Sequence, residues 1–374
     1  MKSNSFKHYV SLDKEMKIPK KLDNIQLKFA ENYNEENDDE LNGLYSHYKI
    51  VKKNINAKYR NLPDYKEYRR LWRDTAVKHV ETEFPLHLDI EVTSYCNLAC
   101  PMCPRTHRVA LGEWKNKMMK FETFKKIIDE GTEKGLKAIN LNNFGESFFN
   151  KKLVEMIEYA KSKGVLDVML HTNGTVMDEI LAERIINSGL DRIIFSLDSI
   201  TKEIYEKIRI GANFEDTIKN VRMFHTIREK MCNYKPVIRV SMVRMKENDH
   251  EANKFEKFWG PYADEVTYTD YRNQDGLDKT DRYTEFKKEN KSYSCPALWQ
   301  RLTINATGEV TACCRDAGKR LTLGKINDEN KSLTNIWNGD KLKESRNLHE
   351  NKQAYLIDAC NGCDHIRGHI LPKK

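Results

Sequence analysis

The chain has 374 residues, 39% hydrophobic and 10% aromatic, with 64 lysines and arginines against 56 aspartates and glutamates, a net charge of +8. That length can bury a sizeable core, which excludes a disordered or peptide-like chain, and no apolar run is long enough to cross a bilayer. The start, MKSNSFKHYV, lacks an apolar signal core, so a cytoplasmic protein without membrane partners is expected.

Residues 1–85 are lysine-rich, with an acidic patch EENDDE at 35–40. Helical periodicity in LYSHYKIVKKNINAKYR (44–60) and DYKEYRRLWRDTAVKHV (64–80) predicts a mainly helical extension. The basic, tyrosine-rich run 49–73 has the composition of an RNA-binding strip, but such a run is ordinarily a solvated helix face with tyrosines packed beneath it. Nucleic acid is not the expected partner; the mild basic excess suits an anionic small molecule better.

From residue 86 apolar strands alternate with amphipathic helices. HLDIEVTSY, AINLNNFG, DVMLHTNG, RIIFSLD, VIRVSMV and EVTYTD read as six strands, with helical segments between and after them. Gly131, Gly135, Gly164 and Gly189 stand where helices should end. The pattern predicts an α/β core with a parallel sheet, open or rolled into a partial (β/α)6 barrel, over residues 86–271. A charged, turn-rich linker (272–294) and a separate cysteine-bearing module (295–374) follow.

Seven of the nine cysteines fall into two groups. Cys96, Cys100 and Cys103 follow the first strand, at the C-terminal edge where parallel α/β sheets collect functional groups. A 4Fe–4S cube normally receives one thiolate per iron, so three thiols leave one iron open to another ligand. His107 would instead complete a Cys3His zinc site, and inert packing is the third reading. Cys295, Cys313, Cys360 and Cys363 supply four thiolates, enough for a second cube or a zinc ion, with LTINATGEVTACC predicting a hairpin that carries ligands.

CxxxCxxC after the first strand resembles the signature of the radical S-adenosylmethionine (SAM) superfamily. The later strand ends match in order. Asn143-Phe144-Gly145-Glu146 resembles the Gly-Gly-Glu motif that receives the SAM amino group, His171-Thr172-Asn173-Gly174 ends the third strand, and Ser196-Leu197-Asp198 ends the fourth. Met102 replaces the usual aromatic residue, and NFGES the commoner GGEP. The resemblance implies that SAM chelates the open iron, with Gly145, Glu146, Thr172, Asn173, Ser196 and Asp198 binding it and Arg209 gripping its carboxylate bidentately. It also implies reductive cleavage to a 5'-deoxyadenosyl radical, with flavodoxin or ferredoxin as electron donor.

The tail, with LGKI, NIWNG and the closing ACNGC, resembles the SPASM/twitch extension of that superfamily. The extra cysteines of full SPASM proteins are missing, which implies one auxiliary 4Fe–4S cluster. The spacing is like that of the cyclitol dehydrogenases of aminoglycoside pathways. Cys314 is open to three readings: ligand in place of Cys313, hydrogen donor, or packing. Cys232 precedes the fifth strand and reads as structural. The expected function is a radical SAM oxidoreductase that oxidises or epimerises a sugar, cyclitol or nucleotide-linked sugar. A maturase of a ribosomal peptide is the alternative, and a non-catalytic zinc scaffold ranks below both.

Overall fold

The computed structural model of the protein describes residues 47–51, 60–231, 233–274, 276–282, 294–326, 332–361 and 363. The acidic patch, Cys232 and linker residues 283–293 lie outside them. In chain order the elements are β1 (His47–Ile50), α1 (Pro63–Lys78), β2 (His87–Ile90), α2 (Pro104–Ala110), α3 (Phe121–Glu133), β3 (Ala138–Asn140), α4 (Leu153–Ser162), β4 (Asp167–Thr172) and α5 (Glu179–Asn187). They continue with β5 (Arg192–Ser196), α6 (Lys202–Ile208), α7 (Phe214–Lys230), β6 (Val237–Arg244), α8 (Ala252–Trp259) and β7 (Glu265–Asp270). The tail adds α9 (Ala297–Gln300), β8 (Arg301–Ile304), β9 (Glu309–Thr311), β10 (Thr322–Lys325), α10 (Leu333–Trp337) and α11 (Asp340–Glu350).

One ten-stranded sheet runs β1-β7-β6-β5-β4-β3-β2-β8-β9-β10. Strands β2 to β7 are parallel neighbours in sequence order, the arrangement expected of a (β/α)6 partial barrel. Alternation decides the two faces. Leu88, Ile90, Ile139, Val168, Leu170, Ile193, Phe195, Ile238 and Val240 are fully buried in one core with residues of the intervening helices. Each such side chain contributes about 1.5–3 kcal/mol of burial. The other face, with His87, Asp89, Asn140, His171, Ser196, Arg239 and Thr267, forms a polar lumen.

Helix α1 closes the floor of that lumen. Tyr65, Tyr68 and Trp72 recur at helical spacing and are buried with Leu86 and Ala138. The Trp72 ring meets His87 edge-on at 5.6 Å and lies 4.9 Å beneath the Arg301 guanidinium. Within the tyrosine-rich run, Tyr65, Tyr68 and Trp72 are thus the buried face of this helix.

Three expectations need correction. The 44–60 periodicity predicted helix, yet His47–Ile50 is a strand, antiparallel to β7, because the barrel edge offers unpaired backbone groups that a short extended segment satisfies. The cysteine-bearing hairpin forms, but it does not stand apart: β8 pairs parallel with β2 in register His87↔Arg301 to Ile90↔Ile304, so the tail extends the barrel sheet. Gly131 lies inside α3, where a side chain would strike Leu136, instead of ending the helix.

Candidate functional site

The loop after β2 is folded from three directions. Cys103 is the residue before α2, and Cys103 N donates to the Cys100 carbonyl at 3.0 Å, which turns the segment back on itself. Arg105 is buried and gives its guanidinium to the carbonyls of Ser94 (3.1 Å), Cys96 (3.2 Å) and Leu98 (3.3 Å), a planar fork that a lysine does not reproduce. Ala99 N donates to the Ile210 carbonyl at 2.9 Å from the far side. His107 Nε2 donates to the Pro101 carbonyl at 2.8 Å, so it is engaged away from a Cys3His centre. Among the described residues no three His, Cys, Asp or Glu side chains form a single-ion metal site.

Cys96, Cys100 and Cys103 line a cleft of about 170 Å³ together with Gly145, Glu146, His171, Thr172, Asn173, Ser196 and Arg209. Burial pushes the Cys100 thiol up to about 12 and raises those of Cys96 and Cys103, so thiolates here require a strong positive centre such as cluster iron. Gly145 is needed at its position because a methyl group there would collide with the Thr93 carbonyl; the close approach lets Glu146 N donate to the Tyr95 carbonyl at 2.8 Å. Glu146 itself is buried, and its carboxylate accepts from Asn173 N (2.7 Å), Thr172 Oγ1 (2.9 Å) and Phe148 N (3.4 Å). Burial nevertheless raises it to about 7. Asn173 Nδ2 reaches Asn97 Oδ1 at 2.9 Å and Cys96 Sγ at 3.9 Å, so the third strand end is tied to the thiol loop.

Asp198 is the one predicted SAM-side residue that does not line the cleft. It is fully buried behind Arg209, at φ 61°, accepting from Val243 N at 2.7 Å and pairing with Arg209 at 2.6 Å. Arg209 turns its other Nη toward Cys100 Sγ at 3.8 Å, and its Nε has no partner among the described residues. Asp198 therefore positions Arg209.

Arg105, His171 and Glu91 were not among the predicted site residues. The sequence signal for Arg105 is its place on the first turn after the third cysteine. Glu91, buried and raised to about 7 by burial, accepts from Phe144 N at 3.4 Å and Ala306 N at 3.2 Å, linking the cleft loop to the β8–β9 hairpin. Burial, with Arg239 next, lowers His171 to about 4.

In the tail, Cys295, Cys360 and Cys363 pack together with Ala297 and Ala354. Cys295 N donates to His349 Nδ1 at 3.0 Å, and Cys363 N to the Cys360 carbonyl at 3.0 Å. Burial pushes Cys295 up to about 12 and Cys360 higher still. The Cys313 thiol shares a hydrogen with Cys314, and with burial and the Cys295 and Cys363 thiols this holds Cys313 high; Cys314 is lowered by the same hydrogen bond and feels Asp89 and Arg301 of the lumen. The module is fastened to the barrel by Glu130 of α3, which accepts from Leu333 N (3.0 Å) and Thr334 N (2.9 Å) at the start of α10, and by Trp337 Nε1, which donates to the Thr82 carbonyl at 2.7 Å.

A thiol triplet at the end of the first parallel strand, a carboxylate at the second and a second thiol group in the appended tail define an iron–sulfur protein of the radical SAM type. The model of the Radical SAM superfamily matches residues 90–258, and that of the SPASM iron–sulfur cluster-binding domain matches residues 295–364. The chain belongs to the radical SAM superfamily and carries a C-terminal SPASM domain; its cofactors are SAM and two 4Fe–4S clusters. A probable GTP 3',8-cyclase of Methanococcus maripaludis is 33% identical over 132 residues, 35% of this chain and 43% of that protein. The chain spans less than half the length of the curated relatives it matches. SuiB of Streptococcus suis bound to precursor peptide SuiA superposes with TM-score 0.55 at 15% identity, over 82% of this chain and 75% of that one. Native anSMEcpe with bound AdoMet gives 0.53 at 18%, over 77% and 92%. At such identities the likeness concerns the fold alone. No helix among the described residues is long and apolar enough to cross a membrane.

Proposed function

We propose that the protein abstracts hydrogen from a polar small molecule held in the barrel lumen, a sugar, cyclitol or nucleotide-linked sugar, and oxidises or epimerises it. Bound SAM supplies, on receiving one electron, the carbon-centred radical that this chemistry needs. Cys96, Cys100 and Cys103 hold the open cluster, Glu146 accepts from the SAM amino group, and Arg209 offers its remaining donor to the SAM carboxylate. Gly145, Thr172, Asn173 and Ser196 shape the same wall. Cys295, Cys313, Cys360 and Cys363 hold the auxiliary cluster, with Cys314 hydrogen-bonded to Cys313 beside it.

One observation carries the substrate class. Asn140, Asp89 and Thr303 stand side by side on β3, β2 and β8, and the Asn140 Oδ1 and buried Thr303 Oγ1 have no partner among the described residues. Buried polar atoms in want of hydrogen bonds suit a polyhydroxylated ligand and disfavour an apolar one. His171, neutral at pH 7, can accept or donate at a substrate hydroxyl.

The test incubates reconstituted protein with SAM, reductant and a panel of carbon-deuterated nucleotide sugars and aminocyclitols. Deuterium should pass to 5'-deoxyadenosine, with a product lighter by two hydrogens (oxidation) or labelled from solvent (epimerisation). Thr303→Val should raise the substrate KM on the order of tenfold while SAM cleavage without substrate persists. Deuterium transfer from peptides but from no polyol would overturn the reading.

A further inference from the structure

The segment 109–120, the end of α2 and the loop after it, is largely exposed and carries a feature the radical chemistry alone leaves unexplained. Val109, Leu111 and Met118 are 48, 59 and 50% exposed, and beside them stand the exposed Lys115, Lys117 and Lys120, none of which has an ion-pair partner among the described residues. The carboxylate of the segment, Glu113, is taken up by Arg108 at 2.7 Å, so three exposed apolar side chains and three uncompensated lysines share one short stretch, the composition of an interaction site.

The segment is nevertheless rigidly held. Ser94 N donates to the Lys117 carbonyl at 2.9 Å and Lys117 N to Ser94 Oγ at 2.7 Å, while Ser94 Oγ donates to the Lys115 carbonyl at 3.1 Å. Trp114 Nε1 donates to the Ser94 carbonyl at 3.0 Å, and its ring stands at 90° to Phe144 of the cleft, 5.8 Å away. Ser94 lies two residues before Cys96, and Val109 six residues along α2 from Cys103, about 9 Å at the helical rise. A protein seated here would sit within short electron-transfer reach of the three-thiol centre.

We propose that 109–120 is the docking face for the electron donor, a small acidic ferredoxin. This rests on the membership in the radical SAM superfamily but not on the substrate class proposed above. The charge selects the occupant: a second copy would set three lysines against three lysines across a two-fold axis, whereas an acidic rim neutralises them and steers encounter. A contact confined to twelve residues suits the brief, low-area encounter of redox partners. The exchange moves one electron and no atoms: the ferredoxin iron–sulfur centre is oxidised by one, and the centre held by Cys96, Cys100 and Cys103 is reduced by one.

The experiment uses cluster-loaded full chain and a purified acidic plant-type ferredoxin, reading affinity by calorimetry and cluster reduction by stopped flow. Wild-type affinity should fall steeply with salt. The triple variant Lys115→Glu, Lys117→Glu, Lys120→Glu should bind on the order of tenfold more weakly, with the salt dependence flattened. Val109→Ser with Leu111→Ser should weaken binding while retaining the salt dependence. Dithionite-driven SAM cleavage should stay within about twofold of wild type in both, which separates docking from damage to the site. Unchanged ferredoxin affinity in the charge-reversed protein, or a face that takes flavodoxin and rejects ferredoxin, would overturn the proposal.

Discussion

Glu146→Gln isolates the charge of the cleft carboxylate from its shape. The carboxylate receives Asn173 N–H, the Thr172 hydroxyl and Phe148 N–H; glutamine keeps one acceptor oxygen for the shortest of these and lets the Thr172 hydroxyl rotate. What it lacks is the charge that strengthens hydrogen bonds from the SAM amino group, a contribution of about 1.5–3 kcal/mol, or roughly ten- to a hundredfold in Kd. The sign of the pH effect follows from burial. A carboxyl raised from 4.5 to about 7 keeps its proton in the folded chain where the unfolded chain has lost it. Stability therefore falls as pH rises from 4.5 to about 7, by about 3 kcal/mol, and the glutamine variant should lose that slope. SAM affinity runs the other way, strengthening in wild type between pH 6 and 7.5 as the carboxylate ionises and staying flat in the variant. Calorimetric titration of cluster-loaded protein across that window, with thermal denaturation alongside, reads both. Equal SAM affinity in the two proteins at pH 7.5, with wild-type affinity flat in pH, would refute the assignment.

Arg105→Lys should cost the open cluster selectively, because lysine cannot hold three carbonyls at once; iron should fall from about eight to about four per chain, with the auxiliary cluster still visible by electron paramagnetic resonance. Cys314→Ser should retain about eight irons where Cys313→Ser loses about four, which iron analysis of the folded variants decides. Trp72→Ala, which empties the barrel floor, should destabilise the protein by about 3–5 kcal/mol in denaturant titrations without changing SAM affinity of the folded fraction.

The parallel core was legible because period-two strands and amphipathic helices alternate over 86–271, and the thiols because their spacing has few other uses. The strand at 47–50 was not: four residues carry no resolvable period, and only the unpaired edge of β7 makes them extended. Asp198 was readable as a polar residue at a strand end, but its retreat behind Arg209 depends on α6 ending at Ile208 and returning the chain over Cys100. The lumen network escaped detection for a similar reason. His87 with Asp89, Asn140, and Arg301 with Thr303 come from three distant stretches of the chain and meet only through register.

The pairing of β8 with β2 bears on how the protein is made. On the ribosome the thiol loop emerges early, yet the strand that carries it remains an open edge, and Glu91 lacks its second donor, until Ala306 arrives 215 residues later. Such a distant closure is slow and leaves a hydrophobic edge exposed in the nascent chain. Iron delivered to Cys96, Cys100 and Cys103 before then would meet an unfinished scaffold. Biogenesis should accordingly favour late cluster insertion, and truncations ahead of β8 should aggregate rather than accumulate as a free barrel.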